Sequence, residues 1–151
     1  MRHHLAILLP RYLRLILSGH KTVECRIARR PIPPHGTIDP DDMIRLKQSG
    51  GPVYGVAQAA RVKTYDDLDA ADLQRLRRKN GRAICAEAGF WQAHRRARYA
   101  TLIWLKDVRP LPPFRIEKTD RPPWVVLPGP LVPRFPYNPS GKPSLLEVPR
   151  P

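Results

Sequence analysis

A short stretch near the start of the chain, SGHKTVECR at residues 18–26, gathers residue types that could do chemistry. Lys21 offers an amine, Glu24 a carboxylate and Arg26 a guanidinium, all within six positions. A partly desolvated lysine that loses its proton can act as a base or activate water, whereas a charged lysine binds phosphate or carbonyl oxygens. The stretch is therefore a candidate for either catalysis or ligand binding.

Two predicted elements position these groups. The apolar run at residues 5–9 is typical of a buried strand, and Pro10 then suits the first turn of a helix that ends before Gly19. From Thr22 the apolar period changes to two, which predicts a half-buried strand. Its geometry places Glu24 and Arg26 on one face, about 7 Å apart.

Lys21, just before this strand, can reach the same face, so we expect a carboxylate flanked by two cations at the corner between helix and strand. Spacing alone equally allows a trio of exposed ion pairs, each worth under about 1 kcal/mol. Both interpretations stay open at this point.

The rest of the chain predicts an α+β fold. A hairpin is indicated around residues 49–52, and one helix should stop at the Asn80-Gly81 pair, a combination typical of a turn. The order of strands and helices favours a small, mostly antiparallel barrel or curled sheet over an open α/β sheet, because regular alternation is missing. The predicted segments are strands at Met43–Lys47, Val53–Val62, Ala100–Val108 and Trp124–Leu127, and helices at Leu68–Lys79 and about 82–96 with a break near Gly89.

Beyond Leu127 the sequence becomes rich in proline, which forbids continuous helix or sheet. We therefore predict one domain over residues 1–127 and an extended tail over residues 128–151. Its apolar residues favour a tail that lies along its own domain or along a second copy in a homodimer.

The charge of the chain points to a polyanionic partner. Its 151 residues carry 27 Lys and Arg against 13 Asp and Glu, a formal charge of +14. Such a field attracts nucleic acid first and anionic membranes second, although it can also serve solubility alone. The two cysteines form no C-x-x-C pair and fit a reduced, cytoplasmic protein, and no segment is long and apolar enough to span a membrane.

A second candidate region is strongly basic and contains interleaved aromatic rings. Arginine favours bidentate phosphate contacts, and Trp91, His94 and Tyr99 could stack on bases, although a tryptophan here more often belongs to the core. His35 and His94 lack partners at ligand spacing, so we expect no metal, and no cofactor-binding motif is present. The predicted phosphate contacts are Arg75, Arg77, Arg78, Lys79, Arg82, Arg95, Arg96 and Arg98.

Gly19, Lys21, Glu24 and Arg26 together match G-x-K-x-x-E-x-R, and the sequence therefore resembles the ASCH domain family, a relative of the RNA-binding PUA domains. The order of the flanking strands and helices is similar to that of the family over most of residues 1–127. The resemblance implies a PUA-like β-barrel whose motif charges line a cleft. It also implies nucleic-acid binding, usually of RNA, with nuclease activity in some relatives.

The resemblance leaves three functional hypotheses. In the preferred one, the protein binds RNA or single-stranded nucleic acid, and Gly19, Lys21, Thr22, Glu24 and Arg26 receive a base or nucleotide end. In the second, it is a ribonuclease or an amidohydrolase acting on N4-acetylcytidine, with catalytic Lys21 assisted by Glu24 or Glu87. A subgroup of small relatives has the latter activity but carries threonine at the position of Glu24. In the third, the proline-rich tail recruits a protein partner.

Overall fold

A computed structural model describes residues 1–116 and 122–130. Over these residues the chain forms six strands and three helices. The strands are β1 (His3–Leu8), β2 (Val23–Ala28), β3 (Met43–Gln48), β4 (Val53–Tyr65), β5 (Tyr99–Phe114) and β6 (Trp124–Leu127), and the helices are α1 (Pro10–Leu17), α2 (Ala70–Ile84) and α3 (Ala88–Ala93).

The strands form one mixed sheet in the order β2-β5-β4-β3-β1-β6. Only the β1–β3 pairing in this sheet is parallel, so the prediction of a mostly antiparallel α+β fold is confirmed. Three register shifts between β4 and β5 bend these long strands, because an extra residue on one strand increases the local twist. The sheet consequently curls into a half-barrel, and its two edge strands, β2 and β6, flank an open seam.

Helix α1 packs on one face of the sheet and forms the main core. Leu13 and Ile16, spaced by three residues on its inner face, are buried against Leu46 and Ala57 of the sheet. Gly55 permits this close approach, since a Cβ there would lie 2.7 Å from a methyl carbon of Leu17. The helix ends at Leu17, and Gly19, which follows the C-cap residue Ser18, has a φ of +84° and supplies the predicted left-handed conformation.

Helices α2 and α3 cover the other end of the sheet, against β2 and β5. The prediction that a helix stops at Asn80-Gly81 is wrong, since α2 continues through both residues to Ile84. Asn80 is buried and donates to the Leu76 carbonyl, and burial of Ile84 in the core outweighs the turn preference of the dipeptide. The helix ends instead at Cys85, whose φ is +55°.

The strand predicted at Trp124–Leu127 has the predicted ends, and the other elements are present with shifted ends. The hairpin between β3 and β4 is confirmed, whereas the predicted helix at 82–96 is reduced to α3, and the strand predicted at Ala100–Val108 extends to Phe114. Residues 131–151, which include most of the predicted tail, lie outside the described residues.

Within the described residues, no helix combines the length and apolar character needed to cross a bilayer.

Candidate functional site

The open seam of the half-barrel contains a cavity of about 470 Å³. Its walls come from β2, from the end of β1, from the loop after β2 and from the residues that precede β6, with α3 and Tyr12 of α1 on one side. The lining is mainly apolar and includes the rings of Tyr12, His35, Phe90, His94, Tyr99 and Trp124 together with the charged side chains of Glu24, Arg26 and Arg30.

Lys21 is not among the residues that line this cavity, and its amine is bound inside the protein. Only 3% of the residue is exposed, and its amine donates to the carbonyl of Val23 at 2.9 Å and to that of Ile84. The same nitrogen lies 3.4 Å from a carboxylate oxygen of Glu24 and 5.4 Å from the centre of the Tyr12 ring. The amine therefore makes two hydrogen bonds and one ion pair inside the protein, and Lys21 joins the start of β2 to the end of α2.

Glu24 connects the other two charges and reaches the cavity wall. One carboxylate oxygen accepts from the Cys25 amide at 3.0 Å, and the other accepts from Arg26 at 3.2 Å. Burial alone would raise the pKa of the Glu24 carboxyl, but the charges of Arg26 and Lys21 and the Cys25 hydrogen bond outweigh it. The pKa therefore lies below its ordinary value, and the carboxylate is ionised at neutral pH.

Arg26 bridges the seam between the two edges of the sheet. Its guanidinium donates from β2 to the carbonyl of Ile7 at 3.1 Å and to that of Pro123 at 3.2 Å. It also lies over the ring of Trp124, 5.2 Å from its centre. No strand-to-strand ladder joins β2 to β6 within the described residues, and this side chain links β2 to Ile7 and Pro123 across the seam instead.

A buried chain of hydrogen bonds fixes Trp124 at the cavity wall. The indole N–H of Trp124 donates to Nδ1 of His4 at 3.0 Å, which requires the other ring nitrogen of His4 to carry the proton. That Nε2–H donates to Asp42 at 2.9 Å, and both His4 and Asp42 are buried. The orientation of the tryptophan is thus fixed from within the core.

Two histidines, His35 and His94, also line the cavity. Nδ1 of His94 donates to the Phe90 carbonyl at 2.8 Å, so Nε2 of the neutral ring is an acceptor. His35 contacts Asp66 at 2.9 Å and Thr101 at 3.2 Å, and its ring meets Tyr99 edge-on at 5.4 Å. These contacts fix the orientation of the His35 and His94 rings.

Cys25 on β2 also borders the cavity but is chemically quiet. Burial, together with the charge of Glu24, raises the pKa of its thiol to about 12. Because the thiolate is the reactive form, Cys25 is a poor nucleophile at neutral pH.

The predicted phosphate contacts lie on exposed surface of α2 and of the segment that follows α3. Arg75 pairs with Asp72, Arg98 lies 3.6 Å from Asp67, and Arg77 lies over the ring of Trp91. Trp91 itself is buried in the core, as the alternative interpretation held. The exposed members of the set are Arg75, Arg77, Arg78, Lys79, Arg82, Arg95, Arg96 and Arg98.

The structure brings some of the sequence-predicted site residues together and separates others. Glu24 and Arg26 reach the cavity, but Lys21 does not line it, and Gly19 and Thr22 are exposed outside it. The expectation that all three motif charges line one hollow is therefore corrected for Lys21. Its amine donates to the carbonyls of Val23 and Ile84, and the second of these, 63 residues away, is indicated by no local pattern.

Sequence reasoning missed several wall residues. Tyr12, Arg30 and Trp124 line the cavity but are not among the predicted site residues. The one available signal was the Arg29-Arg30 pair at the end of β2, next to the motif.

No group of His, Cys, Asp and Glu within residues 1–116 and 122–130 is arranged to hold a metal ion.

Comparison with known proteins finds solved structures with a similar fold. An ASCH protein from Zymomonas mobilis is 24% identical, and the match covers 74% of this chain and 71% of that one with a TM-score of 0.59. A serine-to-alanine variant of it is 21% identical, with 83% and 87% covered and a TM-score of 0.65. A tyrosine-to-phenylalanine variant is 23% identical, with 77% of each chain covered and a TM-score of 0.61.

No protein-family model matches the sequence, and no curated protein matches it. The likeness to solved structures therefore concerns the fold, and the chain has the fold of an ASCH domain.

Proposed function

We propose that this chain, with its ASCH-domain fold, binds RNA or another single-stranded nucleic acid and holds one base or end nucleotide in the seam cavity. The observation that carries the proposal is the arrangement of residues 94–99. His94 and Tyr99 line the cavity, whereas Arg95, Arg96 and Arg98 between them are exposed. A base in the cavity would have its phosphates beside these arginines.

The chemistry of the cavity supports a base as the ligand. Aromatic walls stack on any base, and each such contact is worth about 1–3 kcal/mol. The ionised Glu24 can accept a hydrogen bond from an exocyclic amine, and Arg26 and Arg30 supply positive charge at the wall. The formal charge of +14 favours approach of a polyanion from any direction.

The hydrolase hypothesis has one observation in its favour, which is that a buried, ionised carboxylate from Glu24 reaches the cavity. The engaged amine of Lys21 suits a positioning role better than the role of a base. Incubation with N4-acetylcytidine, and separately with RNA, tests the hypothesis. Release of cytidine or RNA cleavage that Lys21→Arg abolishes would support it, and the absence of both would argue against it.

The third hypothesis, a module recruited through its proline-rich tail or a homodimer formed through it, stays a prediction. Residues 131–151 lie outside the described residues.

Fluorescence anisotropy of a labelled oligouridylate, measured across a salt series, tests nucleic-acid binding. Affinity should fall linearly with salt on logarithmic axes, and replacing Arg95 and Arg96 with alanine should reduce the slope by about 2. Arg109→Ala is the matched control, since this exposed arginine lies on β5 far from Tyr99. An unchanged slope in the double variant would contradict the proposed phosphate surface.

A further inference from the structure

The cavity follows the edge of β2 rather than one of its faces. Five consecutive residues of this strand, residues 24–28, line it. Side chains of a strand alternate between two faces, so a cavity on one face would contact every second residue. Consecutive contact means that the backbone edge itself forms part of the wall.

The pairing with β5 shows which backbone groups point into the seam. The Thr22 carbonyl accepts from the amide of Leu105, so by alternation the even-numbered residues of β2 direct their N–H and C=O groups towards β5. Val23, Cys25 and Ile27 direct theirs away from β5, and of these three residues Cys25 and Ile27 line the cavity.

The motif side chains cap one half of this free edge. Lys21 donates to the carbonyl of Val23, and Glu24 accepts from the amide of Cys25. The carbonyl of Cys25 and both backbone groups of Ile27 are left, and none of them has a hydrogen-bond partner among residues 1–116 and 122–130. They border an aromatic cavity and still have hydrogen-bonding capacity to satisfy.

We propose that the N–H and C=O of Ile27 bind the Watson–Crick edge of the nucleobase in the seam. In an extended residue these two groups lie side by side and point the same way, as a donor next to an acceptor. Every unmodified base offers a complementary pair on its Watson–Crick edge, which proteins read when bases are single-stranded. The backbone of β2 thus selects an unpaired base with a free pairing edge.

An extended peptide is the other ligand that pairs with a strand edge, but the seam disfavours it. Arg26 crosses from β2 to Ile7 and Pro123, so an added strand would meet this side chain after one residue of pairing. Main-chain recognition of a peptide depends on a ladder of several residues. A planar base needs only the one open residue, Ile27.

The inference rests on the proposed function, and its test compares RNAs on the unmodified protein. Oligoadenylate, oligocytidylate and oligouridylate are each matched with a version methylated on the pairing edge, as N6,N6-dimethyladenosine, N4,N4-dimethylcytidine or N3-methyluridine. Methylation removes a donor but keeps the ring for stacking, so we expect at least about tenfold weaker binding.

The outcomes separate the two proposals. If the unmodified RNA that binds best and its methylated version bind equally, the reading of the base edge is overturned while nucleic-acid binding stands. If no RNA binds at all, the proposed function fails and this inference fails with it.

A backbone variant gives a second test. Ile27→Pro removes the N–H that faces the seam, and proline is tolerated at an edge position whose N–H makes no ladder bond. We expect at least about tenfold weaker RNA binding than in Ile27→Val, which keeps the N–H. Equal binding by the two folded variants would overturn the inference, and if the proline variant does not fold, the methylated RNAs decide.

Discussion

The two halves of the β2 edge differ in whether side chains of the protein satisfy their backbone hydrogen-bonding groups. At the start of the strand, Lys21 and Glu24 supply hydrogen-bond partners for the backbone of Val23 and Cys25, and all the charges involved are buried or half-buried. At the end of the strand, Ile27 faces an open aromatic cavity. The boundary between the halves is Arg26, which crosses the seam.

This difference separates stability from recognition along one strand. The charged motif of residues 19–26 makes most of its hydrogen bonds inside the protein, where Lys21 and Glu24 satisfy backbone groups at the edge of the sheet that no strand pairs. The residues left to contact a ligand are less distinctive in sequence, since they are backbone groups and aromatic rings. Variants in the two halves should therefore affect different measurements.

The largest effect should come from Lys21→Met in the capped half. This change leaves the carbonyls of Val23 and Ile84 without a donor and a buried Glu24 with fewer cations. Breaking a buried pair in this way typically costs about 3–5 kcal/mol. Urea denaturation measures the loss, and Lys79→Met on the exposed face of α2 is the control.

The control should change the free energy of unfolding by no more than about 0.5 kcal/mol. If Lys21→Met were equally mild, Lys21 would not be a structural cap.

Glu24→Gln should change how stability depends on pH. The pKa of Glu24 is lower in the folded protein than in the unfolded chain. The ionised carboxylate therefore stabilises the fold fully at pH values above the ordinary glutamate pKa of about 4.3. This stabilisation is lost as the pH falls through the folded pKa. The variant should be less stable at neutral pH and should lose less stability on acidification.

Urea denaturation at a series of pH values checks this prediction. Glu87→Gln removes a carboxylate that is exposed and paired with Arg11, and it should follow the wild-type profile closely. Parallel profiles for Glu24→Gln and the wild type would mean that the Glu24 carboxylate is not held by its neighbours.

Tyr99→Ala in the open half should weaken RNA binding without a comparable loss of stability. Removing one stacking ring costs about 1–3 kcal/mol of binding energy, or roughly a 5- to 150-fold change in affinity. Tyr99→Phe keeps the ring and should bind nearly as well as the wild type. Wild-type affinity in Tyr99→Ala, measured by fluorescence anisotropy, would remove Tyr99 from the site.

The smallest effect concerns the two thiols. Cys25 is buried in the capped half and the pKa of its thiol is about 12, whereas Cys85 is partly exposed after α2. A thiol reagent at neutral pH should therefore modify Cys85 and leave Cys25 intact. Peptide mass spectrometry distinguishes them, and rapid labelling of Cys25 would show that this half of the edge opens readily.

Local patterns predicted much of the fold because the relevant interactions are local. The Pro10 start and Gly19 end of α1, the two-residue period of β2 and the β3–β4 hairpin are all readable from neighbouring residues. The end of α2 was misplaced because burial of Ile84, a tertiary effect, overrode the local preference of Asn80-Gly81.

The site was only partly predictable, since its decisive contacts join distant parts of the chain. Spacing correctly brought Glu24 and Arg26 together on one face. One of the two carbonyls that accept from Lys21, that of Ile84, is 63 residues away, and the histidine that orients Trp124 is 120 residues away from it. No pattern within one element indicates either contact.

Amide hydrogen exchange at Cys25 and Ile27 tests the contrast between the two halves most directly. In the free protein, the Cys25 amide, which donates to Glu24, should exchange at least about tenfold more slowly than the Ile27 amide, which faces the cavity. Saturating oligouridylate should then slow Ile27 and leave Cys25 unchanged. Equal protection of both amides in the free protein, with no response of Ile27 to bound RNA, would contradict the account.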